Sequence, residues 1–432
     1  MPMAIWIFFI MIGVILMLLL NSTQRREKAL ERILSQLGEH LGIRMKQRQF
    51  FSGAALHGMF EEFEITVRKY RVLTGNSRMT LRIFIRYSLR LTGFFTVTDR
   101  GDIQEGQQWE HSDIRLGDRE MERVLRLASS DEALAAALMP SNIRAALRDL
   151  KSRVEMLFLS NSWFYCCVAP VLRLDGDSLY EIIRQMLDVL KELDSGTSVR
   201  EALIRNTLQD PLGRVRLSNL KLLSSRFPAD EDLRSVYRKC LEDDSRRVRI
   251  EAARQLGAEG LPAITRMLDD PDLREKEALG AIELLQEHRY RGAENALKGL
   301  FARNSSEEVR EGILKAFGAF GDAALAPFLE EKLDEDPGGL TEEVMEALGF
   351  CGRVESVEKI YRTGKSSFNP FVRSAAARAI GRIQSRLGGV EAGWLTLSEI
   401  SGAEGGLSLQ EESGRGGLTL AGGKGGSDQD QD

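Results

Sequence analysis

Two adjacent thiols, Cys166 and Cys167, would be the natural start of a redox device. Neighbouring side chains on a strand point to opposite faces, so we read them as small apolar strand residues. Cys240 and Cys351 stand alone inside apolar helical patterns. Neither a disulfide framework nor a zinc site is indicated, which suits a reducing cytoplasm. His40, His57, His111 and His288 are scattered without metal spacing. Gly364-Lys365-Ser366 has the ending of a phosphate loop, but the position of its opening glycine is Lys359 and no buried strand precedes it. We read it as a loop between repeats. Neither a Gly-x-Ser-x-Gly elbow nor a His-Glu-x-x-His motif occurs. The expectation is therefore no catalytic, cofactor-binding or metal-ligating set, and no small-molecule substrate.

Arginines are the remaining candidates. Apolar Leu81, Ile83, Ile85, Tyr87 and Leu89 alternate with Arg82, Phe84, Arg86, Ser88 and Arg90. A period of two predicts a half-buried strand with the arginines on one face. Together with Arg68 and the bases that follow the apolar leader, Arg82, Arg86 and Arg90 could bind anions such as acidic lipid headgroups, or nucleic acid. The plainer reading, favoured by the pattern alone, is the solvated face of an antiparallel sheet. The chain of 432 residues has a net charge of −5, which is not the profile of a dedicated nucleic-acid binder, and no nucleic-acid partner is expected.

Residues 24–194 read as an α+β domain that positions this strand. A helical stripe of Leu30, Ile33, Leu34, Leu37 and Leu41 stops at Gly42. Phe63 to Val67 and Phe94 to Thr98 read as further strands, with turn chemistry at Thr74 to Ser77. Helices are expected at 118–127, 131–138 and 141–150, a strand pair at 154–159 and 163–168, and a closing amphipathic helix at 179–193.

Ahead of this domain, residues 1–21 read as a transmembrane anchor. Seventeen consecutive apolar residues run from Ala4 to Leu20. A helix over 1–20 would reach roughly 30 Å, the thickness of a hydrocarbon core. A cleaved signal peptide fits less well: no Lys or Arg precedes the run, and Leu19 to Thr23 give no small-x-small site. No Cys follows that could carry a lipid. Arg25, Arg26, Lys28 and Arg32 on the far side place the body of the chain in the cytoplasm, which for a bacterial chain means the inner membrane.

The C-terminal half repeats. Val248, Val309 and Val372, each followed by Arg, lead to Leu256-Gly257, Phe317-Gly318 and Ile380-Gly381; Leu340 leads to Leu348-Gly349, and Val215-Arg216 opens a weaker copy. The leads are spaced 33, 61, 31 and 32 residues apart, so a degenerate copy lies between Leu268 and Phe301 and the period is about 32. Asp210-Pro211, Asp243 to Ser245, Asp270-Pro271, Asn304 to Ser306, Asp336-Pro337 and Asn369-Pro370 offer capping residues for the first helix of each copy. Gly257, Gly318, Gly349 and Gly381 are expected to end it. Arg216, Arg249, Arg310 and Arg373 are expected to pair with the Asp or Asn of neighbouring turns rather than bind a ligand.

The pattern Asp-x-x-x-Val-Arg-x-x-Ala-Ala-x-x-Leu-Gly, from Asp244 to Gly257 and nearly again from Asn369 to Gly381, resembles HEAT repeats of the short bacterial kind that also occurs in phycobilisome lyases. The resemblance implies an α-solenoid over 195–388 that binds other proteins. It also leaves open a lyase-like role in attaching a prosthetic group. The middle domain, with Leu116 to Glu122, faintly resembles an uncharacterised module found before such repeats; that likeness implies no activity.

After Gly388 the composition turns to Gly, Ser and acids, and residues 389–432 are expected to be a disordered, Gly-rich acidic tail. Within it Leu395-Thr-Leu397, Leu407-Ser-Leu409 and Leu418-Thr-Leu420 recur. Each could add a strand to a partner's sheet edge, or be drift in a low-complexity tail. The sequence thus points to an anchored HEAT-repeat scaffold that binds protein partners at the cytoplasmic membrane face.

Overall fold

The computed structural model describes residues 11, 25, 28–46, 55–72, 78–89, 93–100, 113–169, 175–194, 196–228, 231–335, 339–387, 394–398 and 406–410. An antiparallel sheet with covering helices is followed by a long helical region. By backbone proximity the chain divides into Met1–Val236 and Tyr237–Asp432. Among the described residues no helix is long and apolar enough to cross a membrane. The apolar run 4–20 lies outside them except for Met11.

The first unit is built on eight strands: β1 (Met45–Lys46), β2 (Ala55–Phe60), β3 (Phe63–Val72), β4 (Arg78–Arg86), β5 (Phe95–Asp99), β6 (Leu125–Ser129), β7 (Met156–Ser160) and β8 (Trp163–Val168). Their order is β1-β2-β3-β4-β8-β7-β5-β6, with every pairing antiparallel. Period-two alternation sends Leu56, Ile65, Val67, Leu81, Ile83, Ile85, Phe95, Val97, Leu157, Leu159, Phe164 and Cys166 to one fully buried face. That face is the core of the unit.

Among the described residues seven helices lie wholly within the unit: α1 (28–41), α2 (Arg119–Val124), α3 (Glu132–Ala137), α4 (Ser141–Arg153), α5 (Gly176–Leu193), α6 (Val199–Gln209) and α7 (Gly213–Arg226). Asp118, Asp131, Asp175 and Ser198 cap α2, α3, α5 and α6 through side-chain oxygens that accept early backbone N–H groups. The helix expected over 118–127 stops at Val124. Leu125 and Leu127 turn inward on either side of Arg126 and form edge strand β6 instead. A short run of this kind satisfies both periods, and pairing with β5 decides between them.

Past the α8 segment (Leu233–Cys240), the second unit alternates two sets of helices. One set is α9 (Arg246–Leu256), α11 (Glu275–Glu287), α13 (Glu307–Phe320), α15 (Thr341–Cys351) and α17 (Pro370–Leu387), and each packs on the next. Between them lie α10 (Leu261–Met267), α12 (Glu294–Arg303), α14 (Ala326–Asp334) and α16 (Val354–Ser366). One continuous apolar core runs from Ile250 to Ile383.

Of the four glycines expected to end first helices, only Gly257 does so, at φ +62° after α9. Gly318, Gly349 and Gly381 lie inside α13, α15 and α17. Gly349 marks a close approach, since a Cβ there would come 3.1 Å from the Ala379 Cα, whereas one on Gly318 would make ordinary contact with Phe350 and Ala347 at 3.4 and 3.6 Å. Gly364-Lys365-Ser366 is the last turn of α16, not a loop. A helix C-terminus carries partial negative charge and repels phosphate.

The tail departs from its expectation in one place. Residues 394–398 (β9) and 406–410 (β10) form an antiparallel hairpin in which Leu395 lies opposite Leu409 and Leu397 opposite Leu407. The first two leucine motifs thus pair with each other, since alternating apolar and polar residues suit either partner. Leu418 and Leu420 lie outside the described residues, as does Arg90.

Candidate functional site

The outward face of the first unit's sheet follows from its inward one. Because Ile65, Val67, Ile83, Ile85, Phe164 and Cys166 are buried, Glu64, Thr66, Arg68, Arg82, Phe84, Arg86, Trp163, Tyr165 and Cys167 stand on the opposite side. Strand register sorts them into rows. Glu64 faces Arg86, which faces Trp163; Thr66 faces Phe84, which faces Tyr165; Arg68 faces Arg82, which faces Cys167.

Within these rows the arginines lie against rings. The Arg82 guanidinium sits 3.3 Å from the centre of the Tyr70 ring and 5.8 Å from that of Tyr165. Arg86 lies 5.5 Å over Trp163 and 3.7 Å from Glu64. Phe84 and Tyr165 stack on each other at 4.9 Å. His57 Nδ1 and Thr66 Oγ1 are 2.9 Å apart, and His57 Nε2 is 3.7 Å from Glu64. The Nε of Arg82 is buried and has no hydrogen-bond partner among the described residues. Around the rows, Met59, Tyr70 and Trp163 are 60%, 47% and 44% exposed. The face can therefore offer oriented guanidinium donors beside flat apolar surface.

The structure brings together Arg68, Arg82 and Arg86, the described members of the arginine set. Their aromatic partners Tyr70, Trp163 and Tyr165 were not legible as such. The pairing of β3 with β4 sets Tyr70, and that of β4 with β8, which lies far along the chain, sets Trp163 and Tyr165. The thiols split as expected of strand neighbours. Cys166 points into the core, and Cys167 lies 2.9 Å from the Tyr165 hydroxyl. All four cysteines are buried and none is in a disulfide. Burial raises the Cys166 thiol above its ordinary value, with the neighbouring Cys167 adding to the effect. His40 reaches Asp177 at 2.7 Å. Among the described residues no group of three or more His, Cys, Asp or Glu could hold a metal ion.

The repeat arginines and turn residues form a recurring scaffold device. Side-chain oxygens of Asp210, Asp243, Asp270, Asn304 and Asn369 accept the backbone N–H two residues on, at 2.7–3.0 Å. At Asp210, Asp243, Asp270 and Asn304 these are turns of the Asx type, whereas Asn369 stands just before Pro370 and caps α17, and Ser306 caps α13 as expected. Arg216 donates to the Asp210 carbonyl at 2.7 Å, Arg310 to the Asn304 carbonyl at 2.7 Å and Arg373 to the Ser367 carbonyl at 3.0 Å. These arginines thus hold the main chain at the end of the preceding helix. A cation there meets the negative end of the helix dipole. Arg249 departs from the pattern, and its buried Nε has no hydrogen-bond partner among the described residues.

One residue had no sequence signal. Arg144 is 1% exposed, and its guanidinium donates to Asp118, to Asp210 and to the Met139 carbonyl.

No protein-family model and no curated protein matches the chain. Among solved structures, the crystal structure of the mycobacterial trehalose monomycolate transport factor A, TtfA, is similar at 12% identity. That match covers 38% of this chain and 95% of the other, with a TM-score of 0.28. A likeness this distant carries no argument about function.

Proposed function

We propose that this chain is a membrane-anchored HEAT-like scaffold that binds partner proteins at the cytoplasmic face of a bacterial inner membrane. Residues 4–20 are the anchor, and the helices of 195–388 are the solenoid. The observation that carries this reading is the successive packing of α9, α11, α13, α15 and α17. Stacked pairs of that kind build extended surfaces suited to binding other proteins. The ties of Arg216, Arg310 and Arg373 to the preceding helix ends support it, since they give those arginines a structural task. No reaction is assigned.

Affinity capture of the tagged full chain from detergent extract tests the proposal. A partner should be recovered and then lost when residues 244–387 are deleted. The deletion begins there because Asp210 is locked into the first unit by Arg144. Capture unchanged by the deletion would remove the scaffold reading. Recovery of the intact full chain in a salt-washed supernatant would remove the anchor.

A further inference from the structure

We propose that the outward sheet face around Arg82 and Arg86 docks an extended acidic segment of a partner protein, whose carboxylates are received by ring-supported guanidinium groups. The proposal deepens the scaffold reading and rests on it for the partner being a protein.

Geometry carries the argument. A guanidinium laid against a ring keeps its N–H edge available in its own plane, the arrangement that meets a carboxylate with two parallel bonds. Arg82 is held this way on Tyr70, and its Nε is a desolvated donor without an acceptor among the described residues. Such a donor is costly until an acceptor arrives. Arg68 lies directly opposite Arg82 in the β3–β4 register. Like charges in that relationship repel, and an anion between them relieves the repulsion. Arg82 and Arg86 are four residues apart on one strand, about 13 Å along it. An extended peptide presents same-side carboxylates at the same spacing.

Charge balance favours an acidic occupant. The rows carry Arg68, Arg82 and Arg86 against the single carboxylate of Glu64, with His57 beside it. Towards β6, Arg126 is answered by Asp113 at 3.9 Å. Exposed Tyr70, Trp163 and Met59 add the aromatic, Met and Arg composition of protein-interface centres. Nucleobases are a poorer fit. Phe84 and Tyr165 stack on each other and Arg82 covers Tyr70, whereas single-strand binders leave ring faces open for bases.

The test uses the full chain in nonionic detergent and a fluorescein-labelled peptide of about twelve residues alternating Glu with Val, read by anisotropy. Binding should weaken about tenfold with Arg82→Ala and again with Arg86→Ala, as for interface hot spots. Arg82→Lys should recover little of it, because the planar fork is gone. Arg68→Glu, an exposed charge reversal that removes no core packing, should repel the peptide, and near-UV circular dichroism reports whether each variant is folded. The proposal is overturned if the peptide does not bind at low salt. It is equally overturned if a Gln-for-Glu peptide binds as well, or if the folded Arg82→Ala/Arg86→Ala variant binds like the parent. Competition won by phosphatidylglycerol vesicles or oligothymidylate would overturn the assignment to protein. The scaffold reading fails by a separate route, through partner capture that is indifferent to the loss of 244–387.

Discussion

Arg144 and Asp210 meet through two parallel hydrogen bonds, Nη1 to Oδ2 at 2.8 Å and Nη2 to Oδ1 at 3.0 Å, with both side chains out of solvent. Arg144 lies on α4, which packs with α5 and β7 in the first unit, and Asp210 ends α6, which pairs with α7. The Arg144 Nε donates to Asp118, the cap of α2, at 2.8 Å. One guanidinium therefore fastens three helix ends, and the first helical pair belongs to the same unit as the sheet.

Removing that guanidinium leaves two buried carboxylates without their partner. Arg144→Leu should destabilise the protein by about 3–5 kcal/mol, the usual cost of breaking a buried pair from one side. The urea-unfolding midpoint measures it. Adding Asp118→Ala and Asp210→Asn to the same variant should recover part of the loss, because no unpaired charge then remains.

Acid should weaken the same cluster. Burial alone would raise the Asp118 carboxyl, but the Arg144 hydrogen bond and the Met121 N–H outweigh it and hold the group below its ordinary 3.8. A depressed carboxylate contributes stability at pH above 3.8 and loses it as the pH falls through the lowered value. Unfolding midpoints measured from pH 6 downwards should fall less steeply in Asp118→Asn than in the parent over that acid window.

The repeat arginines predict a contrast. Arg310→Ala removes a charged hydrogen bond to the Asn304 carbonyl and should cost about 1.5–3 kcal/mol. Arg249→Ala removes a side chain whose Nε makes no hydrogen bond and should cost less than about 1 kcal/mol. Equal losses in thermal melts would mean that the carbonyl contact is not what these arginines contribute.

Interior glycines predict opposite signs. A Cβ on Gly381 would meet nothing within 4 Å, so Gly381→Ala should stabilise α17 by about 0.5–1 kcal/mol through backbone entropy alone. Gly349 faces the Ala379 Cα and the Arg382 side chain, so Gly349→Leu should cost about 1–3 kcal/mol by overpacking. Chemical denaturation of the two variants against the parent separates them.

The thiols should be inert while the protein is folded. All four cysteines are buried, and burial pushes the Cys351 thiol up to about 12. An Ellman titration of the native chain at pH 8 should therefore show almost no reactive thiol, rising to four thiols per chain in guanidinium. Fast reaction at Cys166 or Cys167 in native buffer would restore a redox role for the pair.

Local pattern told much of this protein from residue order alone. The alternation of Leu81, Ile83 and Ile85 with Arg82, Phe84 and Arg86 is enough to make a strand with a basic face, because side-chain direction flips at every residue. The Asp and Asn punctuation of the C-terminal half marks the helix starts, because those short polar side chains bond the next amides. Tertiary structure decided the rest. Only the pairing of β4 with β8 places Trp163 and Tyr165 against the arginines, and only helix packing separates Gly257, which turns the chain, from Gly349, which admits a neighbour. Arg144 reads as an ordinary helix-surface residue until Asp118 and Asp210 close around it. Partners distant in sequence are chosen by strand register and by the match of buried charge, and neither leaves a mark on the residues beside them.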